Sequence, residues 1–166
     1  MASLPSFTVR SHLCIAPEGF WQQMSMSAVN AELRPWVRMT SPARWAHCRL
    51  GEWTTGEVLF RSVILLFGFL PVDVHSLRLA SIDPLGRGFV EHSHSWCNKR
   101  WDHARTTTPT KTGCVVEDTV TVEGRIPWFT SLLMPVYRLV FRHRHKRLRA
   151  LHGYTGDGPL PCGKAD

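Results

Sequence analysis

The chain has 166 residues, of which 43% are hydrophobic and 20% are charged, and it contains seven Trp and eight Phe. This composition excludes an intrinsically disordered protein and favours one domain with a large aromatic core or a cavity lined by rings. The formal net charge is +7, but six Lys and Arg and no acidic residue lie between Arg138 and Arg149. Because the basicity belongs to one segment, the charge does not indicate a nucleic-acid-binding protein.

The cysteines and the apolar runs favour a reduced, cytoplasmic protein. The five Cys are odd in number, widely spaced and without a Cys-x-x-Cys pair, which predicts free thiols and neither a disulfide scaffold nor a structural zinc site. The segment Met1–Val9 lacks the charged and apolar regions of a signal peptide. The most apolar run, Val63–Val72, is ten residues long, about half of the roughly 20 that a membrane-spanning helix needs.

The first third of the chain predicts one strand followed by two short helices. Phe7–Ile15 alternates as a half-buried strand does. Pro17 and Glu18 are suited to the first turn of a helix, because that turn tolerates proline and favours acidic side chains. Val29–Leu33 predicts a second short helix that stops before Pro35, since the residue preceding proline avoids the helical conformation.

The middle of the chain predicts a run of antiparallel strands joined by short turns. A break is expected at Leu70–Val72, and turns rich in Gly and Pro are expected at Asp83–Gly88 and Pro109–Gly113. The predicted strands are Gly51–Phe69, His75–Ile82, Phe89–Trp96, Trp101–Thr107 and Val115–Val122.

The last part predicts a long amphipathic helix and a loose tail. Apolar residues recur at steps of three and four from Trp128 to Leu151, which gives the helix one apolar face. Pro135 is expected to kink or divide this helix. The domain is therefore predicted to span residues 1–154, and residues 155–166, rich in Gly and Pro, to form a flexible C-terminal tail.

This order predicts an α+β fold, in which a curved antiparallel sheet wraps around the long C-terminal helix and two short helices follow strand 1. Strands and helices do not alternate as a parallel sheet would require. A long amphipathic helix after a series of antiparallel strands can bury its apolar face against the concave side of the sheet. Such an arrangement encloses a pocket.

Several local motifs in this order resemble the START-like, SRPBCC superfamily. They are Val29–Pro35, Phe89–Glu91, Trp101–His103, Gly113–Val122 and Phe141–His145. The resemblance covers roughly residues 7–153 and implies the helix-grip fold with an internal cavity. Its members bind lipids, sterols, quinones, polyketides or hormones, and some are cyclases. The chain departs from the family pattern at Cys114, Arg105 and Phe89–Ser93, positions that set cavity polarity, so the ligand's identity is not carried over.

Polar side chains follow the inner faces of three predicted neighbouring strands. Residues two apart on a strand share a face, so Trp101, His103 and Arg105 point the same way. The candidate ligand-binding residues are Glu91, Ser93, Trp101, His103, Arg105, Asp118, Tyr137 and Phe141. Three interpretations stay open: a buried ion network that only satisfies itself, groups that orient a ligand, or an acid–base pair of His103 with Asp118 or Glu91.

Other polar features carry weaker indications. His92 and His94 share a strand face, but no third metal ligand is evident, so exposed histidines are preferred over a metal site. Cys97 and Cys114 are interpreted as small buried residues and not as nucleophiles. The basic run has three interpretations: a solvated helix face, a docking surface for an anionic membrane through Arg138, Arg142, Lys146 and Arg149, or a nucleic-acid patch. The last is disfavoured, because the run lacks interleaved exposed aromatic residues and a known reader motif.

The sequence favours binding or carriage of a hydrophobic molecule, such as a lipid, quinone or polyketide-like compound, without a cofactor. The alternative is a cyclase or dehydratase that uses a His–carboxylate pair in the same cavity. A third hypothesis is a protein-interaction module whose cavity is filled by Trp96, Trp101 and Trp128.

Overall fold

Seven antiparallel strands form one sheet in the computed structural model, which describes residues 4–83, 85 and 87–154. The strands are β1 (Ser6–Leu13), β2 (Val37–Met39), β3 (Val58–Leu66), β4 (Leu70–Asp83), β5 (Gly88–Ser95), β6 (Asn98–Thr110) and β7 (Gly113–Gly124). Their order in the sheet is β1-β7-β6-β5-β4-β3-β2, so the first strand lies beside the last. The predicted α+β helix-grip fold is confirmed.

Three short helices and a 3-10 turn lie between β1 and β3 in sequence, and a long helix follows β7. They are α1 (Pro17–Gln23), α2 (Met26–Leu33), α3 (Ala43–Ala46), a short 3-10 turn at Leu50–Glu52 and the long α4 (Pro127–His152). α4 packs on β1, β7 and α2. No helix of the described residues is long and apolar enough to cross a membrane.

Alternation along β7 shows how the sequence builds the inner face. Every second residue from Cys114 to Val122 is fully buried, whereas the residues between them are partly exposed. Four of these five buried residues are apolar, and the fifth is Asp118. Because a strand alternates strictly, a carboxylate at this position must enter the core. It therefore needs partners inside the protein.

The two short helices after β1 bring a second carboxylate to the same interior. The side chain of Ser25 caps α2 by accepting a hydrogen bond from the amide of Ala28 at 3.2 Å. The helix ends at Leu33, before Arg34 and Pro35, as predicted. This placement buries Glu32 on the inward side of α2.

The long helix is continuous, so of the two effects expected of Pro135, a kink or a division of the helix, the division is wrong. Pro135 lies inside α4 on its exposed side. At such a position water can bind the carbonyl that loses its amide partner. The buried side of the helix includes Phe141, Arg144 and His145.

Several predicted boundaries shift in the structure. Gly51–Phe69 is not one strand, because only Val58–Leu66 extends as β3. The predicted break at Leu70–Val72 is the start of β4, and the chain instead turns at Phe67 and Gly68, whose φ angles are +53° and +84°. β2 and α3 carry too few residues for a periodic signal and were not predicted.

The thiols follow the prediction in part. Cys48, Cys97 and Cys114 are free, whereas Cys14 is disulfide-bonded, so the expectation of reduced thiols is wrong at this position. Spacing along the sequence does not determine which sulfur atoms meet in space. The predicted flexible tail, residues 155–166, lies outside the described residues.

Gly113 opens β7 where the chain passes the end of β1, and it allows the first substitution test. A Cβ at Gly113 would overlap the backbone carbonyl oxygen of Leu13, and φ is +154°. At Gly56 φ is +92° but a Cβ would meet nothing within 4 Å. We expect Gly113→Ala to lower the free energy of unfolding by about 1–3 kcal/mol more than Gly56→Ala, because only the former adds overpacking. Urea unfolding followed by Trp fluorescence measures both, and equal losses would contradict the clash.

Candidate functional site

A cavity of about 430 Å³ lies between the sheet, α2 and α4. Its lining is mostly aliphatic, aromatic and thioether side chains, among them Met24, Met26, Leu33, Leu77, Leu79, Phe89, Trp101, Leu133, Val140 and Phe141. Ligand pockets of small-molecule-binding proteins are typically about 300–1,000 Å³ and predominantly apolar. The cavity therefore has the size and the surface to take an apolar small molecule.

The cavity reaches the surface between α4 and the hairpin that joins β3 to β4. Val72 and Val136 both line it and are 46% and 49% exposed. Further exposed apolar residues belong to the same two elements, with Phe67 and Phe69 in the hairpin and Trp128 in the helix. We call Phe67, Phe69, Val72, Trp128, Leu132 and Val136 the apolar rim.

The tryptophans do not fill this space. Trp101 lines the cavity, but Trp96 and Trp128 are 73% and 70% exposed and lie at the surface. The hypothesis that these three residues pack together at the centre is therefore wrong. Trp96 lies in the bend that follows β5, next to the buried Ser95 at the end of the strand.

One part of the cavity wall is polar. Nε2 of His75 lies 2.7 Å from Oε1 of Glu91, and Nδ1 of His103 lies 3.4 Å from Oε2 of the same carboxylate. A second polar pair lies on the same cavity, where the side-chain amide of Asn98 donates to the hydroxyl of Tyr137 at 2.9 Å. All five residues line the cavity. A few fixed polar groups in an apolar pocket are what orient a ligand.

A buried ion network continues from this wall into the protein. Asp118 accepts from Nε2 of His103 at 3.0 Å and from Nε and NH2 of Arg105, both at 2.7 Å. The same guanidinium donates to both oxygens of Glu32 at 3.1 and 3.0 Å. Arg144 donates to Glu32 at 2.7 Å. The network thus joins β6 and β7 to α2 and α4.

The network is balanced in charge if His103 is protonated. Glu91, Asp118 and Glu32 supply three negative charges, and Arg105 and Arg144 supply two positive ones. His103 supplies the third, because both of its ring nitrogens face carboxylates, and an imidazole donates from both nitrogens only when charged.

Burial and partners act in opposite directions on these groups. Burial alone favours the neutral acids, yet the charges and hydrogen bonds of Arg105 and Arg144 lower the pKa of Glu32, and those of Arg105 and His103 lower that of Asp118. Burial likewise opposes the charge of His103, but Asp118 and Glu91 raise its pKa above the ordinary 6.5. The partners therefore outweigh desolvation, and the network is ionised.

A second set of contacts on Asp118 has the residue types of a hydrolase triad but no access to a substrate. Oδ2 of Asp118 lies 3.0 Å from Nε2 of His145, and Nδ1 of that ring lies 2.9 Å from Oγ of Ser11. Both residues are buried, and neither lines the cavity. Arg149 also donates to this hydroxyl at 2.9 Å. These bonds attach β1 to α4.

Five of the eight candidate ligand-binding residues line the cavity, namely Glu91, Trp101, His103, Tyr137 and Phe141. The other three, Ser93, Arg105 and Asp118, are buried but do not line it. Ser93 accepts a hydrogen bond from the amide of Arg78 at 3.0 Å. Arg105 and Asp118 share the inner face as predicted, but Glu32 of α2 covers the guanidinium. An inward direction on a strand therefore does not by itself place a residue at the cavity, because a neighbouring side chain can cover it.

Sequence reasoning missed four polar residues of this region: Glu32, His75, Asn98 and Arg144. Glu32 and Arg144 stand inside two of the motifs that carried the family resemblance, but they are 112 positions apart and no spacing pairs them. His75 begins a predicted strand with ordinary alternation. The sequence did hold one indication. Glu32 and Arg144 are charged, yet each lies among the apolar residues that are expected to face the core.

Metal-binding and thiol chemistry find no support in the described residues. No group of three or more His, Cys, Asp or Glu among them could hold a metal ion. Nδ1 of His92 lies 2.8 Å from Asp102 at the surface. Burial raises the pKa of the Cys114 thiol to about 11 and also raises that of Cys97, so neither is an activated nucleophile.

Residues 11–152 match the family described as "Domain of unknown function (DUF8410)". The chain belongs to this family. None of the curated proteins matches the sequence. The family description assigns no activity to the domain.

Solved structures show which fold this DUF8410 domain shares. Protein CV1439 from Chromobacterium violaceum has a TM-score of 0.65 and 14% identity, covering 90% of this chain and 99% of the other. Major latex-like protein 151 of Panax ginseng has a TM-score of 0.61 and 9% identity, covering 91% and 99%. DynU16, from the dynemicin biosynthetic locus, has a TM-score of 0.54 and 11% identity, covering 92% and 50%. These likenesses show a shared fold, which is the helix-grip fold that the sequence resemblance implies.

The charge of His103 gives a prediction for stability against pH. A histidine whose pKa is raised on folding stabilises the protein fully below its ordinary value, and this contribution is lost as the pH rises through the raised pKa. As the pH rises above 6.5, the ordinary pKa of imidazole, we expect the free energy of unfolding of the wild type to fall. The fall should be smaller in His103→Gln. Urea titrations across this range measure both slopes.

A spectroscopic readout covers the case in which His103→Gln does not fold. The ring nitrogens of His103 in the wild type should keep the ¹⁵N chemical shifts of an imidazolium above pH 6.5. The stability measurement is restricted to pH values above 6.5 for a separate reason. At lower pH the protein loses the stabilisation that comes from the lowered pKa values of Asp118, Glu32 and His145. A neutral His103 at pH 6.5 would contradict the charge assignment.

Proposed function

We propose that the protein binds and carries a hydrophobic small molecule, such as a lipid, quinone or polyketide-like compound, in its internal cavity. The observation that supports this function is the cavity of about 430 Å³ with a mostly apolar lining and one polar wall. Burying the apolar surface of a ligand there gains about 25 cal/mol per Å². The polar wall then selects the orientation in which the ligand sits.

An enzyme of the cyclase or dehydratase kind is the alternative, because His103 does meet Glu91 and Asp118 beside the cavity. A general base needs a lone pair that points at the substrate proton. Both ring nitrogens of His103 are instead held by carboxylates. Carriage is therefore favoured over catalysis through this residue.

Filling the cavity from α4 tests the carrier function. Val140 lines the cavity, whereas its neighbour Leu139 does not and is 50% exposed. We expect Val140→Trp to weaken binding of 1-anilinonaphthalene-8-sulfonate, a fluorescent anionic dye with an apolar aromatic body, by about tenfold or more, equivalent to about 1.4 kcal/mol. Leu139→Trp, the matched control, should bind as the wild type does. Equal binding by both variants would place the dye outside the cavity.

Native mass spectrometry gives a second measurement on the same proteins. Gently purified wild type and Leu139→Trp should retain apolar molecules of small mass, and Val140→Trp should retain less. If neither the dye nor a copurified molecule binds the wild type, the carrier function is overturned.

We further propose that the cavity opening docks on an anionic membrane. Arg138, Arg142 and Lys146 are exposed at steps of four along α4 and thus follow one side of the helix. Arg149, the fourth residue expected in this role, is half-buried and bound to Ser11. The apolar rim adjoins the basic side and could enter the headgroup region, while the cations bind acidic lipids.

Removing the exposed cations tests this docking. Arg142→Gln with Lys146→Gln should weaken binding to phosphatidylserine-containing vesicles by about 1 kcal/mol for each cation. Binding to phosphatidylcholine vesicles should not change, because no surface charge attracts the cations there. Arg61→Gln with Arg78→Gln is a charge-matched control on the sheet. Equal losses in both double variants would indicate that only net charge matters.

A further inference from the structure

Two polar side chains of β4 line the cavity outside the ion network around Asp118, namely Asp73 and His75. Oδ1 of Asp73 accepts from the backbone amides of Val74 and Cys97, at 2.8 and 3.2 Å. The side chain of His75 is 10% exposed. Nε2 lies 2.7 Å from Oε1 of Glu91. His103, on the other side of that carboxylate, has both nitrogens engaged.

The partner of Nε2 determines what the other ring nitrogen of His75 offers. Hydrogen bonds from His103 and His75, together with the charge of His103, overcome burial and lower the pKa of Glu91, so that its carboxylate only accepts. The proton of the short bond therefore belongs to Nε2 of His75. When the ring is neutral, Nδ1 carries a lone pair. This atom makes no hydrogen bond within residues 4–83, 85 and 87–154.

Two further polar side chains of the cavity, Asn98 and Tyr137, are hydrogen-bonded to each other. The amide of Asn98 donates to Tyr137 at 2.9 Å, and the phenol donates back to Oδ1 at 3.4 Å. Burial raises the pKa of Tyr137 to about 12, so the phenol stays neutral. Trp101 packs edge-on against both His75 and Tyr137, with ring centroids 6.1 and 5.1 Å apart. Asn98 and Tyr137 thus bond to each other, and Nδ1 of His75 takes no part in their bonds.

We propose that His75 is neutral, because the charge of His103 already balances Glu91, and that its Nδ1 faces the cavity and accepts a hydrogen bond from a hydroxyl group of the ligand, which is an apolar alcohol or phenol. This assignment rests on the proposed function of the cavity and adds the chemical class of its ligand. Glu91 fixes the tautomer by accepting from Nε2, and Trp101 packs edge-on against the ring. An ether of the same shape cannot donate, and it would leave the buried acceptor unpaired at a cost in affinity of roughly tenfold to a hundredfold.

A pair of probes tests the assignment directly. We expect wild-type protein to bind 2-naphthol about tenfold to a hundredfold more tightly than 2-methoxynaphthalene, as measured by isothermal titration calorimetry. In His75→Phe, which keeps a ring but lacks the acceptor, the two affinities should become equal within about threefold. The matched control is His94→Phe at an exposed position of β5, which should keep the wild-type preference.

Failure of this assignment differs from failure of the proposed function. If wild type binds both naphthalenes equally, or if His75→Phe keeps the preference, His75 does not read a hydroxyl and only the further assignment is overturned. If neither probe binds the wild type, apolar-ligand binding fails, and the assignment fails with it. Should His75→Phe not fold, the ¹⁵N shift of Nδ1 in wild type decides: it should move on adding 2-naphthol and stay unchanged with 2-methoxynaphthalene.

Discussion

Burial of the Asp118 carboxylate is the constraint on which the rest of the interior depends. The side chain stands in a row of apolar residues on β7 and has no exposed surface. An unpaired carboxylate there would cost far more than the few kcal/mol of a domain's net stability. Arg105, His103 and His145 therefore surround it. Because these partners belong to β6 and α4, one buried charge fixes the position of the long helix against the sheet.

The network also divides the interior into a half crossed by ion pairs and an open half. Where Glu32 of α2 meets Arg105 and Arg144, ion pairs bridge the helices and the sheet. Beyond His103 and Glu91, toward the hairpin of β3 and β4, no comparable bridge occurs among the cavity-lining residues, and the cavity opens. The salt bridges thus fix the distance between the helices and the sheet, whereas buried ion pairs add little net stability. Glu91 belongs to both halves, because it pairs with His103 and also orients His75.

The surface complements this division. The first half of α4 exposes apolar residues such as Trp128 and Leu132 beside the cavity, whereas the second half exposes Arg142 and Lys146. Exposed apolar patches on a soluble domain commonly mark contact sites for a partner, ligand or membrane. The same helix therefore closes the cavity with its inner side and carries the outer features by which a ligand could be exchanged. Sequence relatives do not define that ligand, because the structural neighbours share the fold at 14% identity or less.

Periodicity and turn chemistry determined the fold before any tertiary contact was known. Strand alternation from Phe89 to Val122 and the apolar face of the last helix predicted the sheet, the helix and the inward direction of His103, Arg105 and Asp118, because these patterns depend only on local geometry. The elements without such a pattern, β2 and α3, and the exact turn at Phe67 were beyond local reasoning. The tertiary structure alone decided which inward residues meet a ligand and which meet each other. Glu32 and Arg144 lie 112 positions apart, and only the docking of two helices on one sheet turns them into the charge pair that covers Arg105 and leaves His75 at the cavity.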